Sequence, residues 1–159
     1  MKLIPFEPKD AAGLNNWFKT KDESLTWGGR IFGWPLSLKA IISRSNCSEA
    51  EFYVLTDQNQ MVGFFEIQQI SKTEQRLCRV VIAPYAQGRG FGKRLIELAI
   101  AQAKEKSNAQ SISLAVFQAN QVAFNCYQSL GFRVVEREPA FKVFEGVQWP
   151  LYQMELTLI

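Results

Sequence analysis

The most informative stretch of this chain is Ile82-Ala83-Pro84-Tyr85-Ala86-Gln87-Gly88-Arg89-Gly90-Phe91-Gly92-Lys93-Arg94-Leu95. It begins as an apolar run that ends at Pro84, because proline cannot donate to a sheet ladder. Three glycines at alternate positions then lead into a helical pattern. Glycine lets backbone N–H groups approach a ligand, and a helix start adds unpaired donors and a positive dipole end. The segment therefore predicts a strand, a turn suited to pyrophosphate, and a helix.

Two common phosphate loops fit this turn less well. A Walker loop places Ser or Thr after Gly-Lys, whereas Gly92-Lys93 is followed by Arg94. A dinucleotide fingerprint needs a glycine three residues after Gly90, where Lys93 stands. A glycine turn without any ligand is the alternative, and Arg89, Lys93 and Arg94 are either further cations of the site or a solvated face.

Residue patterns on both sides of the turn predict a mixed α/β sheet. An antiparallel meander precedes the turn, and strand-helix-strand units that favour parallel pairing follow it. Residues 26–35, with three glycines and a proline, are expected to break regular structure. The predicted strands are 2–6, 51–56, 61–70, 76–83, 111–116, 132–137 and 152–158, and the predicted helices are 10–18, 36–43, 90–108 and 121–130.

The composition excludes several kinds of chemistry. The 159 residues include no histidine, which rules out Ser-His-Asp and Cys-His nucleophiles, His-ligated zinc and an imidazole base. Cys47, Cys78 and Cys126 form no C-x-x-C pair. We therefore expect each cysteine to behave as a small buried hydrophobic residue in a protein of a reducing compartment. No metal is expected.

Charge and hydropathy patterns indicate a protein of the cytoplasm. The net charge of +3 is small and scattered, without the basic blocks of a nucleic-acid-binding surface. The first residues lack the apolar core of a signal peptide, and no uncharged run reaches the roughly 18 to 20 residues of a membrane span. We therefore expect neither a nucleic acid nor a membrane as a partner.

Two motifs at a matching distance carry a family resemblance. Gln87-Gly88-Arg89-Gly90-Phe91-Gly92 fits the pattern R/Q-x-x-G-x-G/A, and Ile82-Ala83-Pro84 fits the V-x-P before it. Asn120-Gln121-Val122-Ala123-Phe124-Asn125-Cys126-Tyr127-Gln128-Ser129-Leu130-Gly131-Phe132 fits N-x-x-A-x-x-x-Y-x-x-x-G-F, which arises by accident at roughly one start position in a million. The pair resembles the GNAT superfamily of acetyl-coenzyme A dependent N-acetyltransferases.

The resemblance implies the GNAT fold, an α/β domain of α+β type. It predicts a mixed central sheet of about six or seven strands, antiparallel in the N-terminal half and with parallel pairing around the cofactor cleft, flanked by about four helices. Residues 1–159 would form a single N-acetyltransferase domain. Within it, residues 75–135 would be the acetyl-CoA-binding core and residues 1–50 the acceptor side.

The resemblance also implies how acetyl-CoA is held. Backbone groups of Val80 to Ile82 would pair with the pantetheine arm, and N–H groups from Gly88 to Lys93 would hold the pyrophosphate. The Asn120 amide suits the pantetheine amides; Asn is also a good N-cap for the helix from Gln121, and both roles are compatible. The implied cofactor contacts are Val80, Val81, Ile82, Gln87, Gly88, Arg89, Gly90, Phe91, Gly92, Lys93, Asn120 and Tyr127.

Tyr127 is the candidate catalytic residue. Coenzyme A must leave as a thiol after an amine attacks the thioester, and a phenol with a pKa near 10 can donate that proton or hydrogen-bond the sulfur. The alternative is a core tyrosine packed with Ala123 and Leu130. Cys126 is interpreted as a packing residue, because it lies in mid-helix and no histidine can activate it.

The general base has no clear candidate. Only a neutral amine attacks, so help with deprotonation matters more for a lysine-like amine than for an α-amino group. Ribosomal-protein alanine acetyltransferases of this superfamily carry a Glu where this chain has Ala115, which argues against the same substrate. Glu66 and Glu74 are candidates, and the alternative for each is a solvated strand residue.

The acceptor pocket is predicted from residues 17–35 together with the C-terminal segment. Arg30 could anchor a carboxylate or phosphate of the substrate. The alternative for the aromatic residues is packing beneath a loop. The candidate pocket walls are Trp27, Phe32, Trp34 and Trp149.

The sequence thus predicts direct acetyl transfer from acetyl-CoA, without a metal, to a primary amine of a small molecule or a protein N-terminus. A homodimer is compatible with this fold. One alternative is a GNAT-like domain that binds acyl-CoA as a sensor or interaction module. The other is a different enzyme with a phosphate-bearing cofactor, which the complete second motif disfavours.

Overall fold

A computed structural model describes residues 1–158, except for the side chains of Arg30 and Lys106. A short 3-10 helix, Pro84–Ala86, joins the central strand to the glycine turn. The helices are α1 Asp10–Asn15, α2 Lys21–Phe32, α3 Leu38–Ser45, α4 Phe91–Lys106 and α5 Gln121–Ser129. The strands are β1 Lys2–Pro5, β2 Ala50–Asp57, β3 Gln60–Gln69, β4 Glu74–Ile82, β5 Ser111–Phe117, β6 Arg133–Val135, β7 Phe141–Phe144 and β8 Val147–Thr157.

The strands follow the order β1-β2-β3-β4-β5-β8-β6, and β7 pairs with β8. Strands β1, β2 and β3 pair antiparallel, β4 and β5 pair parallel, and β8 runs antiparallel to both β5 and β6. The predicted mixed α/β sheet, antiparallel in the N-terminal half and with parallel pairing of β4 and β5 across the glycine turn, is confirmed. The parallel pairing expected of the next strand-helix-strand unit is not formed, because β8 lies between β5 and β6 and is antiparallel to both. Within residues 1–158 the sheet has eight strands instead of six or seven, because the short β7 was not predicted.

The prediction of irregular structure at residues 26–35 is wrong for its first part. Helix α2 runs through Phe32, with Thr20 as its N-cap and a kink at Gly29, where φ is 65°. Gly28 lets the turn close tightly, because a Cβ there would lie 2.7 Å from the Phe32 ring. Tertiary packing of this kind outweighs the low helix propensity of glycine.

The described chain divides into two compact units. One contains Met1–Gln68 with Arg79–Gly92, and the other contains Gln69–Cys78 with the chain from Lys93 onward. Both the glycine turn and the end of β4 belong to the first unit, whereas helix α5 belongs to the second. The assignment of residues 1–159 to one acetyltransferase domain stays a prediction.

The first unit has an aromatic core. The Phe64 ring lies 5.0 Å from the ring of Phe52, 5.9 Å from Phe6 and 5.6 Å from Trp27, each in an edge-on arrangement. Trp27 also stacks on Phe18 at 4.5 Å. These rings fix helix α2 over β2 and β3, because each aromatic side chain buries a large area and favours edge-on or offset contacts.

The second unit is built around α4 and β5. The buried face of α4 consists of Leu95, Ile96, Ala99 and Ala103, at the spacing of an amphipathic helix. Alternate residues Ile112, Leu114 and Val116 of β5 are buried, as a half-buried strand requires. Cys47, Cys78 and Cys126 are each half-buried, so the expectation that they are buried is not met.

No helix within residues 1–158 is both long and apolar enough to span a membrane.

Candidate functional site

The glycine turn presents backbone donors in an open position. Gly88 and Gly90 have φ angles of 77° and 83°, in the left-handed region, with Arg89 between them. A Cβ built on either glycine would have no neighbour within 4 Å, so the conformation rather than crowding requires glycine. Left-handed residues next to ordinary ones create a concave run of N–H groups that binds anions. The first turn of α4, starting at Phe91, adds unpaired N–H groups.

Side chains of the turn close it and add charge. The Gln87 amide donates a 3.2 Å hydrogen bond to the carbonyl of Ile82, which ties the turn back to the end of β4. The Arg89 guanidinium lies over the Phe91 ring, 4.9 Å from its centroid. Lys93 is exposed at the start of α4. The turn therefore has a backbone geometry suited to an anion, with cationic side chains beside it.

Strand β4 contains a break that the sequence did not predict. Arg79, in the middle of the strand, has a φ of 51°, which is unusual for a residue with a Cβ. Its carbonyl accepts a 2.8 Å hydrogen bond from the Trp27 indole N–H. Beyond the break, the N–H of Ala83 donates to the carbonyl of Val62 at 2.8 Å. The signal in the sequence was a charged residue inside the apolar run that precedes the turn.

Glu66, a candidate base, is fully buried in a group of cations and amides. Both of its oxygens lie 3.0 Å from the Arg79 guanidinium, and one lies 3.1 Å from Arg44. The Gln68 amide donates a further hydrogen bond of 2.6 Å. We call Glu66, Arg79, Arg44 and Gln68 the Glu66 hub. A carboxylate held by two guanidiniums fits an ion-pair network better than a proton acceptor.

Glu74, the other candidate base, is also paired. Arg137 donates to both of its oxygens, at 2.7 and 3.0 Å, and the Ser113 hydroxyl donates at 2.6 Å. The Arg137 hydrogen bond holds the pKa of Glu74 below its ordinary value, against the opposing effect of burial. A lowered pKa makes this carboxylate a weaker base.

We expect Glu74→Gln to lower the melting temperature at neutral pH by an amount that shrinks as the pH falls from about 6 to 3. The depressed folded-state pKa means that stability from this group is present above the unfolded value and is lost as pH falls through the folded value. Arg137 is 35% exposed, so solvent screening keeps the effect small. Calorimetry at several pH values measures it, with the exposed Glu138→Gln as control. A deficit independent of pH would contradict the assignment.

The second motif contains both the N-cap of helix α5, Asn120, and Tyr127 within the helix. The Asn120 side-chain oxygen accepts a 3.2 Å hydrogen bond from the N–H of Ala123, so its N-cap role is present. The NH₂ group of the same amide is left for another acceptor. This geometry is compatible with both roles that the sequence leaves open.

Tyr127 is buried, with 7% of its surface exposed. Its ring packs edge-on against Phe132 at 5.8 Å, and its hydroxyl makes no hydrogen bond to the residues that the structure describes. Burial raises its pKa well above the ordinary value. The phenol is therefore protonated throughout the physiological pH range and can act as a hydrogen-bond donor.

Cys126 and Ala115 offer no obvious catalytic group. Burial raises the pKa of the Cys126 thiol, which makes the reactive thiolate scarcer. Ala115 lies in β5, opposite Gln153 of β8, and supplies no carboxylate. Among the described residues, no group of three or more Cys, Asp or Glu side chains is placed to hold a metal ion.

The aromatic residues predicted to line an acceptor pocket differ in burial and belong to different units. Phe32 is buried, and Trp27 packs against it at 5.3 Å. Trp34 is 40% exposed. Trp149 packs on Phe117 at 5.9 Å, in the other unit. The side chain of Arg30 lies outside the described residues, so the acceptor pocket stays a prediction.

The predicted cofactor residues are shared between the units. Val80, Val81, Ile82 and Gln87 to Gly92 lie in the first unit, and Lys93, Asn120 and Tyr127 lie in the second. Their contacts with a cofactor are implied by the family resemblance and stay predictions.

Comparisons with known proteins agree on one family. The model of the acetyltransferase (GNAT) family matches residues 15–132. The mycothiol acetyltransferase of Corynebacterium efficiens is 28% identical over 143 residues, which cover 89% of this chain and 47% of that protein. An alanine N-acetyltransferase acting on a ribosomal protein, from Haemophilus influenzae, is 39% identical over 82 residues, which cover 52% of this chain and 54% of that protein. The chain thus spans about half the length of these curated relatives.

Solved structures show the same fold. The spermidine N-acetyltransferase of Vibrio cholerae, in complex with CoA and spermine, superposes with a TM-score of 0.82 at 20% identity. The match covers 99% of this chain and 95% of that one. At this identity the likeness establishes the fold alone.

Proposed function

The chain belongs to the acetyltransferase (GNAT) family, and from this premise we propose that it transfers acetyl from acetyl-CoA directly to a primary amine. The observation that carries the proposal is the turn in which Gly88 and Gly90 are both left-handed immediately before α4. Such a turn offers several N–H donors and a helix dipole to a pyrophosphate, which acetyl-CoA carries. The second motif on α5 supplies the groups for the thioester end.

The proposed cofactor contacts rest on the family resemblance, and the local geometry supports them. The pyrophosphate binds the N–H groups from Gly88 to Lys93, with Arg89 nearby as a cation. The backbone of Val80 to Ile82, at the end of β4, pairs with the pantetheine arm as an added strand would. The free NH₂ of Asn120 donates to an amide carbonyl of the same arm, while its oxygen continues to cap α5.

Tyr127 stabilises the leaving sulfur. As the amine nitrogen bonds to the acetyl carbon, the C–S bond breaks, and the proton lost by the amine ends on the thiol of coenzyme A. A thiol has a pKa of about 8.5, and burial raises the pKa of Tyr127 above its ordinary value of 10.0. Complete transfer of the phenol proton is therefore unfavourable, and a hydrogen bond from the hydroxyl to the sulfur is the favoured role.

The amine loses its proton by another route. Glu66 and Glu74 are both held by arginine, so neither is the favoured base. A water chain, or an acceptor that is already neutral in part, satisfies the chemistry; roughly one α-amino group in ten is neutral at pH 7. The same observation supports the second candidate function, an acyl-CoA-binding sensor or interaction module without efficient transfer.

The acceptor is a primary amine on a small molecule or at a protein N-terminus. The names of the similar proteins include a mycothiol acetyltransferase, an alanine N-acetyltransferase and a spermidine N-acetyltransferase, so they span several acceptor types. A homodimer, compatible with the fold, is part of the same proposal.

Thermal shift and thiol release together test the proposed function. We expect acetyl-CoA at about 100 times its Kd to raise the melting temperature by roughly 5 to 10 °C, and ADP to raise it far less. Release of free thiol with at least one member of a panel of polyamines, amino sugars and peptides then identifies the acceptor. A thermal shift without thiol release from any amine would favour the sensor, and equal shifts with ADP would favour a different phosphate-cofactor enzyme.

A further inference from the structure

The left-handed residue in β4 is anchored from three sides within the first unit. The Arg79 guanidinium binds both oxygens of the fully buried Glu66 at 3.0 Å, and it lies over the Phe32 ring, 5.3 Å from the centroid. The Arg79 carbonyl accepts the indole N–H of Trp27 at 2.8 Å. Side chain and main chain of the same residue are thus fixed by β3 and by α2.

Such anchoring is needed because the conformation is unfavourable by itself. A residue with a Cβ in the left-handed region is strained by contact of that Cβ with the following carbonyl oxygen. Without the Glu66 hub and the Trp27 hydrogen bond, Arg79 would gain by returning to the extended conformation of its neighbours. Strain that the surroundings hold in place is often found beside functional groups.

The strained residue lies directly before the backbone groups assigned to the cofactor. Residues 80–82 follow Arg79 in β4, and a change of φ at Arg79 redirects every N–H and C=O that follows it. The N–H of Ala83 then rejoins β3 through Val62, so the reoriented segment is short and anchored at both ends.

We infer that the Glu66 hub is a positioning device: it holds Arg79 left-handed and so orients the backbone of Val80 to Ile82 for the pantetheine arm of acetyl-CoA. This inference rests on the proposed function. Glu66 and Arg79 are then positioning residues and not catalytic ones. Their charges matter because they hold the backbone in shape before the cofactor arrives, which lowers the ordering that binding requires.

Two double variants separate the effect of the backbone conformation at residue 79 from the effect of the ion pair. Glu66→Gln/Arg79→Gly and Glu66→Gln/Arg79→Ala both remove the ion pair, and they differ only by a Cβ at residue 79. Glycine adopts the left-handed region at no steric penalty, whereas alanine does not. We expect the alanine variant to bind acetyl-CoA about tenfold more weakly than the glycine variant, by titration calorimetry at a temperature where both are folded.

Glu145 provides the matched control. It has a φ of 52° but lies in the turn between β7 and β8, outside the hub. Glu145→Gly and Glu145→Ala should differ in melting temperature in the same direction as the first pair, with equal Kd values for acetyl-CoA. A purely structural role of Arg79 would make its two variants behave like this control pair.

The outcomes separate this inference from the function on which it rests. Equal acetyl-CoA affinities of the two double variants overturn the inference, whatever their affinity relative to wild type. A wild-type chain that does not bind acetyl-CoA overturns the proposed function and the inference together. If the alanine variant does not fold, Glu66→Gln alone removes the charge of the hub and keeps both Arg79 and the Trp27 hydrogen bond, and an unchanged Kd in that variant overturns the inference.

Discussion

Tyr127→Phe should lower the rate of acetyl transfer by about 100-fold while the Kd for acetyl-CoA stays within about twofold of wild type. The substitution removes one hydroxyl, which makes no hydrogen bond to any described residue, and keeps the ring that packs on Phe132. The free energy of unfolding therefore changes little. A hydrogen bond that forms only as charge builds on sulfur affects kcat and leaves ground-state binding almost unchanged.

The measurement is thiol release with the best acceptor of the amine panel, together with a direct titration of acetyl-CoA. Tyr53→Phe is the matched control, because Tyr53 is equally buried at 8% exposure and its hydroxyl bonds to Glu51 in β2. It should reduce the melting temperature more than Tyr127→Phe does and leave turnover unchanged. Wild-type turnover in the Tyr127 variant would exclude the proposed contact with sulfur.

Much of the second half of the fold could be predicted because local signals agree there. The glycine turn, the amphipathic spacing of α4 and the N-cap at Asn120 each mark an element boundary. The structure begins α4 at Phe91, one residue after the predicted start at Gly90, and it begins α5 at Gln121, as predicted. Gly131, expected just beyond α5, has a φ of 101°, which fits a helix end.

The elements that were missed depend on contacts distant in sequence. Helix α2 contains Gly28 and Gly29, and its packing against Phe18 and Phe64 involves residues up to 37 positions away from Trp27. Strand β7 has four residues and is defined only by its pairing with β8. Neither feature leaves a periodic pattern that a local reading can detect.

The candidate site divides in the same way. Backbone donors could be predicted, since glycine spacing and a helix start dictate them locally. The ion-pair partners of the carboxylates could not be predicted, because Glu66 lies 22 residues from Arg44 and Glu74 lies 63 residues from Arg137. Both glutamates look like available bases in the sequence, and both are ion-paired once the chain folds.

Gly90→Ala should weaken acetyl-CoA binding by about 30-fold, the upper range of the strain that a Cβ suffers in the left-handed region. Gly90 has a φ of 83° and open space around it, so the variant protein folds with the turn relaxed toward another conformation. The N–H groups of the turn then no longer converge on the pyrophosphate. Binding must restore the strained turn, and the affinity falls accordingly.

Gly146→Ala is the control for this effect. Gly146 has a φ of 79°, and a Cβ added there would have no neighbour within 4 Å, but the residue lies in the turn between β7 and β8. The melting temperature should fall by a similar amount in both variants. Only Gly90→Ala should raise the Kd for acetyl-CoA measured by calorimetry. Equal affinities in the two variants would mean that the conformation at Gly90 does not hold the cofactor. A loss confined to Gly90→Ala instead ties the left-handed turn to pyrophosphate binding, because the two substitutions impose the same strain.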